Sequence, residues 1–340
     1  MSQAVKRLAR SLAGSSAVAG LASLLERADR RQANLLRILT YHRVDYAQSR
    51  PSLYPRVTVT PDAFAEQMRF LTQHYHPISL PELLEAAENS SLSLPPRAVL
   101  VTFDDAYCDF AEQAWPIMQR ERVPATLFVP TAFPDHPDRF FWWDRLYQAL
   151  RTTPRRDVLN TPVVGLPLET AEQREQALLK LRDYVKTRPH AEAMLWIEEV
   201  CDDLQALPPE AAVLGWDALR QLAGEGVALG AHSRTHPLMN RISAEEARAE
   251  ARDSLQDLQA QIGSAPPIFA YPSGGINDQV VEGLAQEGFA LAFTTGRGLN
   301  EWETADRLRL GRINVGPRTN LTTVRLQLLP QYRYVSGMLS

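Results

Sequence analysis

Cysteine is scarce in this sequence: Cys108 and Cys201 are the only two among 340 residues. Two cysteines cannot build a disulfide framework, and such sparse use fits a reducing compartment. Long hydrophobic runs are missing too. No segment approaches the eighteen or so apolar residues of a membrane-spanning helix. Internal repeats and low-complexity tracts are absent, which excludes solenoids and arrays. Charge of one sign is also lacking. The net charge of −4 gives no reason to expect nucleic acid as a partner. What remains is 45% apolar and 22% charged, an ordinary globular balance, long enough for one large domain or two medium ones.

The charge that is present is unevenly placed. Residues 1–37 hold seven basic and two acidic side chains. Lys6, Arg7 and Arg10 precede a mildly apolar stretch from Ser11 to Leu25, in the manner of a signal peptide. Gly14, Ser15, Ser16, Gly20 and Ser23 dilute that stretch, and no small-residue cleavage site follows it. Secretion is therefore less favoured than a cytoplasmic location or a peripheral one at the inner face of the cell membrane. Residues 1–33 read as a basic helical extension. It either rests on an anionic membrane surface or is a solvated helix.

From residue 34 onward, short apolar runs alternate with amphipathic ones. Leu35–Tyr41, Ala98–Phe103, Ala125–Val129, Val227–Ala231, Ile268–Tyr271, Ala290–Thr294 and Leu308–Val315 read as strands. Helices are expected near 61–75, 109–122, 216–225, 243–262 and 277–287. Alternation of this kind argues for a parallel sheet or barrel. Residues 135–215 interrupt it with an aromatic cluster, a proline-rich turn and a long polar helical stretch. They read as a helical insertion that either covers the site or pads the barrel.

Two segments carry the chemistry: Thr102-Phe103-Asp104-Asp105 and His232-Ser233-Arg234-Thr235-His236. Each follows an apolar strand, and in barrels the carboxyl ends of the strands form the active-site face. An isolated Asp-Asp pair is usually a helix cap, and an isolated His pair four residues apart is often superficial. Together they supply Asp105, His232 and His236 as three ligands for a divalent ion, the number found in catalytic zinc sites. Asp104 is left over as a base. The run Phe140-Phe141-Trp142-Trp143-Asp144 either stacks against sugar rings or forms the apolar seam of an inserted helix.

These segments resemble the first two motifs of the NodB-homology polysaccharide deacetylases, carbohydrate esterase family 4. Ala270-Tyr271-Pro272-Ser273-Gly274 is similar to the third motif, and Leu39-Thr40-Tyr41-His42-Arg43-Val44 to a segment of exopolysaccharide and cell-envelope members. The resemblance spans roughly residues 35–130 and 215–316. It implies a distorted (β/α) barrel over residues 34–340, carrying the helical insertion. It also implies that Asp105, His232 and His236 hold a divalent metal, most often zinc. Asp104 is then the base toward the metal-bound water, the backbone N–H of Tyr107 steadies the oxyanion, and Tyr271 and Pro272 contact substrate; Trp142 and Trp143 join them if the aromatic run stacks against sugar rather than forming an apolar seam.

Three positions depart from the family pattern. Ala106 stands where glycine is usual, which strains the turn if φ is positive there. Ala270 stands where arginine usually pairs with the base. Arg312 is a replacement for it or a surface arginine. No histidine follows His236, so His42 becomes the candidate general acid, or else a buried structural histidine. The expected activity is removal of N-acetyl groups from amino sugars of a polysaccharide or glycoconjugate. Deformylation of a lipid-linked sugar and an inactive carbohydrate-binding role are the alternatives.

Overall fold

Seven of the apolar segments form parallel strands that close into a ring. The computed structural model describes residues 34–331, except 90, 160 and 162–164. The expected extension at 1–33 lies outside the described residues. The strands are β1 (Leu35–Tyr41), β2 (Ala98–Phe103), β3 (Thr126–Val129), β4 (Ala228–Ala231), β5 (Ile268–Ala270), β6 (Leu291–Arg297) and β7 (Leu310–Asn314). Each pairs in parallel with its neighbours in sequence. β1 also pairs in parallel with β7, Leu39 lying opposite Ile313, and this contact closes the barrel. Short strands at His76–Pro77 and Asn300–Glu301 flank β2 and β1.

Strands enclosed by helices outside and side chains inside must be apolar on both faces. All seven residues of β1 and all six of β2 are buried accordingly. The two faces feed two different clusters. Leu36, Ile38, Leu100, Phe128, Ala270 and Phe293 belong to the cluster that fills the barrel. Leu39, Tyr41, Val101, Phe103, Phe269 and Tyr271 pack outward against the helices. At Gly230 the interior is so close that a Cβ would sit 2.7 Å from Ile268 and Phe128 side-chain atoms, so β4 requires glycine there.

The outer helices include α1 (Pro61–His74), α2 (Leu80–Glu88), α3 (Trp115–Glu121), and, after the insertion, α7 (Trp216–Gly224), α8 (Ala244–Ile262), α9 (Asp278–Gln286) and α10 (Leu321–Gln327). Ser79 with Glu82 and Ser243 with Glu246 form capping boxes that start α2 and α8. Neither α2 nor α10 is anticipated by the sequence reading. Their apolar stripes are short and they contribute few buried residues.

The insertion consists of α4 (Trp142–Thr152), α5 (Ala171–Val185) and α6 (His190–Asp203), with a small hairpin pairing Val158–Leu159 with Leu166–Pro167. It has an apolar cluster of its own, built on Trp142, Leu146, Leu150, Leu181 and Ile197. Tyr107 of the barrel joins that cluster, so the insertion packs directly on the loop after β2. Cys108 and Cys201 are free thiols. No helix among the described residues is long and apolar enough to cross a membrane.

Candidate active site

The period of two along each strand places alternate residues inside the barrel. Continuing Leu100–Thr102 one step beyond β2 brings Asp104 to the inner mouth. The same parity brings His42 after β1, His232 after β4 and Arg312 on β7 to that end. The structure joins Asp104 to Arg312 in a two-pronged ion pair: Nη1 donates to Oδ1 at 2.8 Å and Nη2 to Oδ2 at 2.7 Å. Arg312 Nε donates to the Thr294 carbonyl at 2.8 Å, and Arg312 is fully buried. Arg312 therefore occupies the pairing role that Ala270 leaves open. Burial pushes the Asp104 pKa up, but the Arg312 guanidinium and His232 outweigh it, and the net direction is down.

Asp105 turns away from Asp104 because the strand has ended. Its φ is +74°, and that of Ala106 is +50°. The position occupied by Ala106 is thus left-handed, at a cost of roughly 1–2 kcal/mol for a residue with a Cβ. This turn aims Asp105 at the histidine loop. Asp105 Oδ1 lies 3.4 Å from His232 Nε2 and 3.2 Å from His236 Nε2. One ligand atom from each of the three residues lies within 4.8 Å of the others, and all three residues are buried.

The donor chemistry fits a cation. His232 Nδ1 is 2.7 Å from the Ala270 carbonyl, which can only accept, so Nδ1 carries the hydrogen. In the neutral ring Nε2 then offers a lone pair toward a carboxylate oxygen. Asp105 Oδ1 is buried and has no hydrogen-bond partner. Two acceptors facing one another in a dry site need a positive charge between them. Burial lowers the His232 pKa, but Asp105 and Asp104 more than reverse this. Burial raises that of Asp105, and the two histidines drive it well below the carboxylate range. For His236 burial dominates, and its pKa falls.

The loop that carries His236 is held from outside. Glu250 on α8 accepts from the backbone N–H groups of Arg234 at 2.7 Å and Thr235 at 2.8 Å. Within the loop the His236 N–H donates to Ser233 Oγ at 3.0 Å. Ser233 and His236 both have φ of +60°, a conformation kept in place by these bonds.

Asp105, His232 and His236 border a cavity of about 450 Å3. His42, Trp142 and Trp143 line it, as do Asp104, Asp105, His232 and His236. Trp143 meets His236 edge to face with ring centroids 5.1 Å apart. The insertion therefore forms a wall of the site. Tyr107 is fully buried in the insertion's apolar cluster and is not among the lining residues. The antiparallel bridge between Tyr107 and Val213 uses the N–H groups of Cys108 and Leu214, so that of Tyr107 is not engaged in it. Tyr271 and Pro272 are placed differently from the expectation. Tyr271 has the outward parity of β5, is fully buried, and donates its hydroxyl to the Leu308 carbonyl at 2.9 Å. Pro272 is also buried and is not among the lining residues, whereas Ser273 is.

Several residues at the site escaped the sequence reading. Asp144 is 1% exposed. It accepts from the Tyr107 hydroxyl at 2.7 Å and from the Tyr54 N–H at 2.7 Å. Trp143 Nε1 donates to the same Tyr107 oxygen at 3.0 Å. Burial raises the Asp144 pKa to about 7, against the two hydrogen bonds that lower it. Arg43, beside His42, pairs with Asp109 at 2.7 Å, and its guanidinium lies 5.4 Å from the Tyr107 ring centroid. Arg182 and Lys186 of the insertion, with Arg297, Thr295 and Asn314 of the barrel, complete the lining. Asp144 ends an apolar run and is expected from the sequence only to cap or pair locally, Arg43 stands in the segment around His42, and the others carry no sign.

The profile of the polysaccharide deacetylase family matches residues 92–292. Among curated proteins the chain is 34% identical over 64 residues to peptidoglycan-N-acetylmuramic acid deacetylase PdaC of Bacillus subtilis, a stretch covering 19% of this chain and 14% of that protein. It is 33% identical over 82 residues to the poly-beta-1,6-N-acetyl-D-glucosamine N-deacetylase of Escherichia coli, covering 24% and 12%. The matches thus span a small part of those longer proteins. Among solved structures, the Streptococcus pyogenes deacetylase PplD in complex with acetate superimposes with a TM-score of 0.58 at 20% identity, covering 88% of this chain and 99% of that one. IcaB from Ammonifex degensii gives 0.57 at 19% identity, covering 88% and 98%. These structures share the fold, and the family profile spans more than half of the sequence, so the chain belongs to the polysaccharide deacetylase family.

Proposed function

We propose that this chain is a metal-dependent hydrolase that removes N-acetyl groups from amino sugars of a polysaccharide or glycoconjugate. The observation that carries the reading is the buried, unpartnered Asp105 Oδ1 facing the Nε2 atoms of His232 and His236. A divalent ion, most often zinc for such a ligand set, would polarise the amide carbonyl and acidify water there. Asp104 accepts the proton from the attacking water. Arg312 keeps Asp104 ionised and fixes both of its oxygens, so Asp104 is a well-aimed but weak base. The Tyr107 N–H donates to the oxygen on which negative charge develops, a form of stabilisation worth several kcal/mol at such sites. His42, in the same cavity, protonates the departing amine.

Two features, Ala106 and Ala270, favour an inactive, sugar-binding role, the second by removing the partner of the base. The Arg312–Asp104 pair supplies that partner and takes away the support from Ala270. The excess of basic residues in 1–37 supports peripheral contact with an anionic membrane surface at the inner face of the cell membrane. Release of acetate from N-acetylated oligosaccharides by the zinc-loaded protein tests the main reading. Formate release from N-formyl sugars with no acetate release would transfer it to a deformylase. Release of neither would sink the hydrolase.

A further inference from the structure

The cavity bordered by Asp105, His232 and His236 is lined by cations that its own carboxylates do not neutralise. Asp104 and Asp105 are the only carboxylates in the lining. Asp104 is matched by Arg312, and Asp105 faces two histidines and the metal position. Arg182, Lys186 and Arg297 also line the cavity, and none of the three forms an ion pair among the described residues.

Two of these cations come from the insertion. Arg182 lies in the last turn of α5, and Lys186 caps its end four residues later, on the same side. Basic last turns are common because they suit the helix dipole, but such residues usually extend into solvent. Here both are half-buried and border the cavity. Tyr54 orients Arg182: its ring lies 4.7 Å from the guanidinium and its hydroxyl accepts from Nη1 at 2.6 Å. Arg182 Nε is buried without an acceptor, so the solvent-facing end of the guanidinium is what Arg182 presents to the cavity. Burial lowers the Lys186 pKa, and the neighbouring Arg182 lowers it further. Two cations crowded into a partly dry wall are relieved by an anion placed between them and the opening.

Resting on the deacetylase reading above, we infer that the substrate is an acidic N-acylated sugar. Its phosphate or carboxylate group is received by Arg182 and Lys186, with Arg297 adding to the field from the end of β6. A neutral homopolymer of amino sugars would leave these three cations unmatched. The insertion then selects among sugars while the barrel performs the hydrolysis.

The test is calorimetric binding to the zinc-loaded full chain at fixed ionic strength. The probes are N-acetylglucosamine, N-acetylglucosamine 1-phosphate, N-acetylmuramic acid and inorganic phosphate. At least one acidic sugar is expected to bind tenfold or more tightly than the neutral sugar. A preference confined to the phosphate sugar, or to the carboxylate sugar, supports the inference and identifies the anion. The Arg182→Gln/Lys186→Gln double variant should lose that preference while retaining its metal and its melting temperature. Three results overturn the inference: no preference among the sugars, a preference retained in the double variant, or inorganic phosphate binding as tightly as the sugar phosphate. Acetate release is scored separately. A preference without acetate release from any sugar would leave the inference standing and remove the deacetylase reading. Acetate release without preference would do the reverse.

Discussion

Arg312 on β7 and Asp104 after β2 are 208 residues apart in sequence and share two parallel hydrogen bonds of 2.8 and 2.7 Å inside the barrel mouth. The pair is dry, so removing one member strands the other. Arg312→Ala should destabilise the protein by about 3–5 kcal/mol, measured by urea unfolding. Asp104→Asn retains hydrogen-bonding atoms and should fold, hold its metal and lose turnover. Unchanged turnover in Asp104→Asn would remove the residue from the role of base.

His42 faces the cavity without belonging to the ligand set. His42→Ala should lower kcat by roughly 100-fold or more, the usual range for loss of a general acid, with metal content unchanged. Loss of metal instead would make His42 a ligand or the support of one.

Asp144 couples the insertion to the loop after β2 through Tyr107. Its folded-state pKa, raised to about 7 by burial, lies above the unfolded value near 4. The folded protein therefore binds more protons at this site than the unfolded chain between about pH 4 and 7. This contribution is fully present below that window and declines as pH rises through it, by about 4 kcal/mol at the most. Asp144→Asn keeps an acceptor for the Tyr54 N–H and does not titrate. The stability of Asp144→Asn relative to the parent should increase from pH 5 to pH 8 in denaturant titrations. A constant difference across that range would contradict the assignment.

Gly274 has φ of +72°, and a Cβ there would lie 1.9 Å from Thr295 Oγ1. Thr295 lines the cavity. Gly274→Ala should cost about 1–2 kcal/mol from the backbone alone and more from the displaced threonine. It should also weaken substrate binding, seen as a raised KM. Parent-like stability would show that the loop relaxes freely.

The barrel was legible because its strands are buried on both faces and stand out as continuous apolar runs. The grouping of Asp105, His232 and His236 was legible because these residues follow such runs directly. The same period of two could have corrected Tyr271: Ala270 faces inward, so its neighbour must face the helices. Arg312 could be named only as one of two outcomes, since a sequence does not show which strand closes against which. Asp144, Arg182 and Lys186 lay beyond reach for a different reason. They reach the site through the packing of an inserted helical unit, and no periodicity in the barrel strands determines how that unit docks. Ala106 shows the limit from the other side. The sequence marked it as strained only if φ were positive, and the observed +50° supplies the condition.

The central claim is that Asp105, His232 and His236 hold one divalent ion. Elemental analysis of metal per chain in the purified parent and in a His232→Ala/His236→Ala variant tests it most directly. The account predicts close to one ion in the parent after zinc is supplied and almost none in the variant. A parent that binds no ion, or a variant that binds as much as the parent, would contradict it.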